Sequence, residues 1–272
     1  MIAHESVIRL SMFLLFLITM AIWEVLRPRR ALLQSKGRRW FANLALTVVD
    51  MAFVRFTLGA VAVSTAFYAQ AHGWGILNAI HLPAAFSFFI TIIFFDMAIY
   101  LQHVMSHALP IFWRLHRVHH SDLDFDVTTG LRFHPFEILI SMIYKAALAA
   151  ALGAHPFGVM VFEVILNASS QFNHGNVRIP LSTDRMLRRF VVTPDMHRVH
   201  HSWKVMETNS NFGFFLPWWD RLFGTYRDQP EQGHTEMTIG LKEYRDPDKL
   251  NILHLLWIPF RKQIGGYSLR RD

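Results

Sequence analysis

The sequence predicts an all-α, integral-membrane helical bundle, of about four spans or of two spans plus hairpins, with a helical cap on its cytosolic side. Three observations predict it. Hydrophobic residues fill 52% of the 272 positions and charged residues 17%, with a mean hydropathy of +0.24, which is too apolar for an ordinary soluble domain. Several apolar runs approach or exceed the roughly 20 residues that cross a bilayer. Outside those runs, the apolar/polar alternation that marks strands is nearly absent. No linker rich in Pro, Gly or Ser divides the chain, so residues 1–272 read as a single membrane-embedded domain.

The first span is residues 6–26 (SVIRLSMFLLFLITMAIWEVL). A cleavable signal peptide is the alternative, but the run lacks a basic start and a small-residue cleavage site, and it ends before Arg27-Pro28-Arg29-Arg30. A second apolar stretch covers about 41–70. A third covers about 82–101 and continues helically into His103 and His107. The fourth, about 138–173, is broken at Gly153-Ala154-His155-Pro156 and predicts a hairpin of two short membrane helices. Arg55 and Lys145 lie within apolar stretches and are expected to snorkel toward the surface.

Lys and Arg concentrate on cytoplasmic loops. Residues 27–39 hold six of them (Arg27, Arg29, Arg30, Lys36, Arg38 and Arg39), whereas the turns at 71–81 and 153–156 hold none. The basic segment is therefore assigned to the cytoplasm and the uncharged turns to the opposite side. Counting spans forward puts the histidine motifs on the cytoplasmic face. The cap comprises about 110–137 and 176–272, mostly helix and loop. The formal charge of +7 fits this positive-inside bias and anionic lipid head groups, and no nucleic-acid motif accompanies it.

The chemistry lies in the histidines. His-x-x-His-His occurs twice, at His116/His119/His120 and at His197/His200/His201, and 16 histidines in 272 residues make two chance matches improbable. His103-x-x-x-His107 and an isolated His174 complete a set of nine. On a helix, residues three and four apart share a face, so each cluster aims two or three imidazoles at one point. Thr193 as cap and Pro194 in the first turn start a helix under the last motif. Imidazole suits iron, zinc, copper or nickel. Four ligands suffice for structural zinc, so nine point to two metals. With no cysteine in the chain, disulfides, Cys-ligated zinc and iron–sulfur clusters are excluded within it. Asp96, Asp122, Asp124, Asp126, Glu137 and Asp195 are expected to orient imidazole N–H groups, Asp96 alternatively being an interfacial acid paired with a base. The adjacent tryptophans of Pro217-Trp218-Trp219-Asp220 fit a membrane–water interface or core packing equally well.

HVMSH, WRLHRVHHSD, TTGLRFHPFE, NHGN, TPDMHRVHHS and NFGFFLPWWDRLFGTYRD together resemble the fatty acid hydroxylase/sterol desaturase superfamily of integral-membrane, non-haem di-iron oxidoreductases. The resemblance covers about 94–228 and the preceding spans in architecture only. It implies His103, His107, His116, His119, His120, His174, His197, His200 and His201 as ligands of two iron ions and as the catalytic residues. Where some members carry a second histidine in the box around His174, this chain has Ser170, so a tenth ligand would be His134 or none. His4, His72, His81, His155, His234 and His254 lack cluster spacing and read as loop or surface residues. The resemblance further implies hydroxylation or desaturation of a lipid C–H bond with O2 as co-substrate, on a sterol-like, sphingolipid, ether-lipid or fatty acyl substrate drawn from the bilayer. A separate reductase is expected to supply electrons, because the chain has no Gly-x-Gly-x-x-Gly and no cysteine for a cluster. A membrane metal transporter and a zinc-dependent membrane hydrolase are the alternatives, although His-Glu-x-x-His is absent.

Overall fold

The computed structural model describes residues 5–57, 61–262 and 265–267. Among them the chain forms helices and no strand, only the isolated bridges Pro28–Val177 and Ser202–Ile239. In order these are α1 (Glu5–Leu26), α2 (Lys36–Thr57), α3 (Val61–Ala71), α4 (Ile76–Ala79), α5 (Ala84–Ala108), α6 (Pro110–His120), α7 (Pro135–Leu152), α8 (Pro156–Asn173), α9 (Leu181–Leu187), α10 (Pro194–His200), α11 (Val205–Thr208), α12 (Trp218–Leu222), α13 (Gly233–Glu236) and α14 (Ile252–Trp257). Four segments among the described residues are long and apolar enough to cross a membrane: Ser6–Leu26, Lys36–Ala79, Ala84–Ala108 and Pro135–Leu152. The predicted second stretch begins earlier, at Lys36, and is built of α2 and α3 on either side of 58–60, which lie outside the described residues. The predicted hairpin is α7 and α8, but only α7 meets the hydropathy of a span. Asn167, Ser169, Ser170, Gln171 and Asn173 make the end of α8 polar.

The bundle is closed by a core in which α3, α5, α7 and α8 meet. Ala62, Ala66 and Ala149 let the helices approach, and Phe95 packs edge-on against Phe162 at 5.4 Å. Leu14, Leu15, Ile18 and Ile22 of α1, and Phe86 and Phe89 of α5, are exposed in a pattern suited to acyl chains rather than water. Lys145 does not snorkel. Its Nζ donates to Glu163 Oε1 at 2.8 Å, and Arg9 reaches Glu163 Oε2 at 2.7 Å, so one buried carboxylate of α8 ties α1 and α7 together. A charge inside a bilayer is tolerable when paired in this way. Arg55, by contrast, is exposed near the end of α2.

The two uncharged turns pack against each other. Gly75 has φ 88°, and a Cβ there would lie 2.0 Å from the backbone nitrogen of Gly153, itself the left-handed cap of α7 at φ 68°. The opposite end of α7, about 27 Å away for 18 residues, starts beside the histidines. The histidines and the basic segment thus share one end of the bundle and the uncharged turns the other. Gly75→Ala is expected to destabilise the protein by about 2 kcal/mol or more, because strain at positive φ adds to a backbone collision that no rotamer relieves. A lowered melting temperature in detergent is the measurement.

Beyond the spans, the C-terminal segment folds back on α2 and α6. Leu241, Tyr244, Leu255, Ile258 and Tyr267 close over Trp113, Val118, Ala42 and Leu46. This layer buries α6 and with it the central histidine motif.

Candidate metal centre

Each histidine is placed by an element whose start the sequence specifies. The end of α5 carries His103 and His107 one turn apart. Leu109 is extended (φ −102°, ψ 119°), and Pro110 restarts the chain as α6, which folds His116, His119 and His120 back over α5. His174 caps the C-terminus of α8. Thr193 accepts a hydrogen bond from Met196 N and Pro194 occupies the first turn, so α10 presents His197 and His200, with His201 as its cap. All nine are buried.

They form two groups, each with its ligand atoms within 4.8 Å of one another: His103, His107, His116, His120 and His200, and then His119, His174, His197 and His201. The groups do not follow the sequence motifs. The first His-x-x-His-His gives its i,i+4 pair, His116 and His120, to the group of five and His119 to the group of four. The second reverses this, giving His197 and His201 to the four and His200 to the five.

Hydrogen bonding at the outer ring nitrogen sets the tautomer. His103 Nδ1 donates to Phe212 O at 2.7 Å, His174 Nδ1 to Ser170 O at 2.7 Å, His200 Nδ1 to Ser210 O at 2.7 Å, and His116 Nδ1 to Glu137 Oε1 at 2.7 Å. His107 Nδ1 faces Asn209 Oδ1 at 3.0 Å. With the proton on Nδ1, a neutral ring has only a lone pair on Nε2. Burial first, then neighbouring imidazoles, hold His119, His120, His197, His200 and His201 well below the usual histidine range, and burial brings His174 down to about 4. These six rings are therefore neutral at pH 7.

The inner nitrogens nonetheless crowd together. His103 Nε2 and His116 Nε2 are 3.0 Å apart, and His174 Nε2 lies 3.1 to 3.2 Å from the Nε2 atoms of His119, His197 and His201. With Nδ1 of His103 turned to Phe212 O and Nδ1 of His116 to Glu137, the two Nε2 atoms face each other across the space between the rings. A cation there would be met by imidazole nitrogens, and a donor set of imidazoles alone fits a transition metal. Phe133 lies parallel to His119 at 4.7 Å, Phe125 stacks on His174 at 5.5 Å, and Phe214 covers His103 at 5.1 Å, so aromatic faces seal the cluster.

The acids behave differently from expectation. Of the six, only Glu137 meets a motif imidazole. Asp122 and Asp126 bind Arg39, Asp124 accepts the backbone N–H groups of Leu33 and Gln34, and Asp195 pairs with Arg29 and Arg198. Among the described residues Asp96 is neither an imidazole partner nor paired with a base. It accepts from Trp219 Nε1 at 2.8 Å and from Leu216 N at 3.2 Å. The basic segment, read from the sequence as a topology signal, supplies the partners that draw Asp122, Asp124, Asp126 and Asp195 away. Backbone carbonyls serve the imidazoles instead, and no side-chain motif could announce them.

His134 stands apart from both groups. Its Nδ1 caps α7 by accepting from Phe136 N, and its Nε2 is 3.3 Å from Leu256 O, so both ring nitrogens are occupied locally. His72 and His81 are exposed, His254 is half-buried and His155 caps α8, while His4 lies outside the described residues. His234 is buried rather than superficial, 3.6 Å from Asp195.

Three residues that sequence reading missed support the site. Asp220, fully buried, accepts from Phe212 N, Gly213 N and Thr225 Oγ1, fixing the strap whose Phe212 carbonyl orients His103. Asn209 sets the ring of His107. Asn211, at φ 52°, ties the strap to α10 through Met196 O. Their dense run of Asn, Ser and Gly at 209–213 was the available signal, a turn composition that reads first as an ordinary loop. Glu137→Ala is expected to weaken metal affinity roughly 10- to 100-fold in a chelator competition, the usual loss when the partner of a ligating imidazole is removed.

Comparison with known proteins bears on this geometry. Human alkylglycerol monooxygenase is 30% identical over 176 residues, covering 64% of this chain and 38% of that protein. The ornithine lipid hydroxylase OlsE of Rhizobium tropici is 28% identical over 232 residues, 80% of this chain and 67% of that one. Rat cholesterol 25-hydroxylase is 28% identical over 143 residues, 52% and 47% respectively. The chain spans about two fifths of the length of the alkylglycerol monooxygenases it matches. No solved structure matches it significantly. The family model described as Fatty acid hydroxylase matches residues 88–225, just over half of the chain and the whole stretch that carries the nine clustered histidines, and the chain belongs to that family.

Proposed function

We propose that this chain hydroxylates a C–H bond of a membrane lipid, with its nine clustered histidines holding two iron ions, dioxygen as co-substrate and the site on the cytoplasmic face. The observation that carries this reading is the pair of all-imidazole groups whose inner nitrogens converge. Iron bound there would supply the activation of dioxygen, chemistry that no side chain performs alone. The protein's own part is positional. Carbonyls of Phe212, Ser170 and Ser210 and the carboxylate of Glu137 hold the imidazoles in one tautomer, and the aromatic cover excludes water from the reacting region. The apolar outer faces of α5 and α7 bring a lipid in laterally, so that binding fixes the reacting carbon before oxidation begins.

Hydroxylation is favoured over desaturation because the similar proteins are a monooxygenase and two hydroxylases. Their substrates differ, so the substrate class stays at membrane lipid, among sterol-like, sphingolipid, ether-lipid and fatty acyl candidates. Electrons come from a separate donor protein. The deciding experiment supplies isotope-labelled dioxygen and a reducing system to the protein in lipid. A lipid product carrying the dioxygen label is expected. Label from water would replace this reading with a hydrolase, and metal uptake into vesicles without lipid product would replace it with a transporter.

A further inference from the structure

One part of the cap faces outward with the wrong surface for water. Leu181 and Met186 of α9, Phe190 just beyond it, Trp218 and Leu222 of α12 and Phe223 are between 46% and 69% exposed. Six large apolar side chains on or directly beside two short neighbouring helices exceed the scattered exposure of a soluble surface. The helices are joined directly, since Trp218 Nε1 donates to Arg189 O at 2.8 Å, and Val192 N donates to Phe215 O at 2.9 Å.

Charge points the same way. In 178–190 and 217–223 the acids Asp184 and Asp220 are buried, and every exposed ionisable side chain is an arginine: Arg178, Arg185, Arg189 and Arg221. Arginines ringing an apolar patch suit the anionic head groups above an acyl layer.

The strap also reaches below the end of the span. Trp219 bonds Asp96, the midpoint of α5, and Phe223 stacks on Tyr100 at 5.5 Å. A bilayer core about 30 Å thick that begins at the N-terminus of α5 ends about twenty residues later, near His103. Tyr100 is then about 5 Å below that surface, within the 5–10 Å to which interfacial helices bury their apolar faces.

We propose that α9 and α12 form a monotopic anchor, embedded in the leaflet next to the histidine cluster, with Phe190, Trp218, Leu222 and Phe223 among the acyl chains and the four arginines at the head groups. The anchor is continuous with the strap at 209–220 that orients His103 and His107. Contact with lipid therefore bears on the same segment that sets those two rings.

The absence of cysteine makes the test direct. Single variants Phe190→Cys, Leu222→Cys, Ile18→Cys on the outer face of α1 and Glu231→Cys on the cap are labelled with a polarity-sensitive fluorophore. They are placed in vesicles of phosphatidylcholine and phosphatidylglycerol containing lipids with a quencher near the top of the acyl chain. The expected result is a blue shift and loss of emission at 190 and 222 comparable with 18, and neither at 231. Probes at 190 and 222 that behave like 231, while 18 is quenched, overturn the anchor and leave the spans intact. Failure at 18 as well removes the spanning reading on which the anchor rests. A double variant, Phe190→Glu with Leu222→Glu, probed at Phe223→Cys, is expected to lose the blue shift, and retention of that shift also counts against the anchor.

Discussion

Alanine at His119 or at His200 is expected to remove iron from the purified protein. The wild-type chain should hold about two metal ions and each variant about one or fewer, because the two substitutions strike different groups. His119 belongs to the four and His200 to the five, so the pair of variants also asks whether the groups fill independently. If each loses only its own ion, the sites are separate. If either loses both, the shared helices α6 and α10 couple them. Metal analysis of detergent-purified protein gives the answer. One zinc per chain, unaffected by either variant, would sink the di-iron reading. Chelation has a second expected consequence. Because the inner imidazole nitrogens crowd together, those of His103 and His116 at 3.0 Å, metal removal should lower the melting temperature, binding free energy here being also folding free energy.

Arg39→Ala is expected to cost about 3–5 kcal/mol, the usual penalty for leaving buried carboxylates without their cation. Arg39 donates to both oxygens of Asp122, at 2.7 and 2.8 Å, and to Asp126 at 2.6 Å, all three residues being buried. Burial alone would push the Asp122 carboxyl up. Arg39 beside it holds the group well below the usual carboxylate range, so Asp122 is fully ionised at neutral pH, and among the described residues it has no other full salt bridge. Removing the guanidinium strands that charge, and Asp126 with it, directly after the first His-x-x-His-His. A fall in melting temperature of roughly 10 °C should accompany the loss. Arg39→Lys is expected to recover only part, since an ammonium cannot serve Asp122 bidentately while reaching Asp126. An unchanged melting temperature for Arg39→Ala would show that this network contributes nothing to stability.

The helical class, the positions of the spans and the identity of the clustered histidines were legible because each is a one-dimensional signal. Apolar runs report burial in lipid, spacings of three and four report one helix face, and Thr193-Pro194 reports a helix start. Legibility failed where a residue's role depends on its partner. Lys145 read as a snorkelling base, yet Glu163 lies 18 positions away on the other arm of the hairpin. Asp122 and Asp126 read as imidazole partners because they follow His119 and His120, yet the competing cation is contributed by α2. His134 read as a possible tenth ligand, but starting α7 with Pro135 leaves its ring to cap that helix.

By itself the sequence determined which histidines are candidate donors: nine imidazoles on short helical motifs, without cysteine, attached to a membrane bundle. Only the tertiary structure decided how they divide, five and four, with each His-x-x-His-His split between the groups. The physical reason is helical geometry. Residues at i and i+4 point together while i+3 is rotated to their side, so when α6 and α10 face each other each contributes a pair to one group and a single ring to the other. Which carbonyl fixes which tautomer was likewise decided in three dimensions, because Phe212 and Ser210 come to His103 and His200 through a fold held by Asp96 and Asp220.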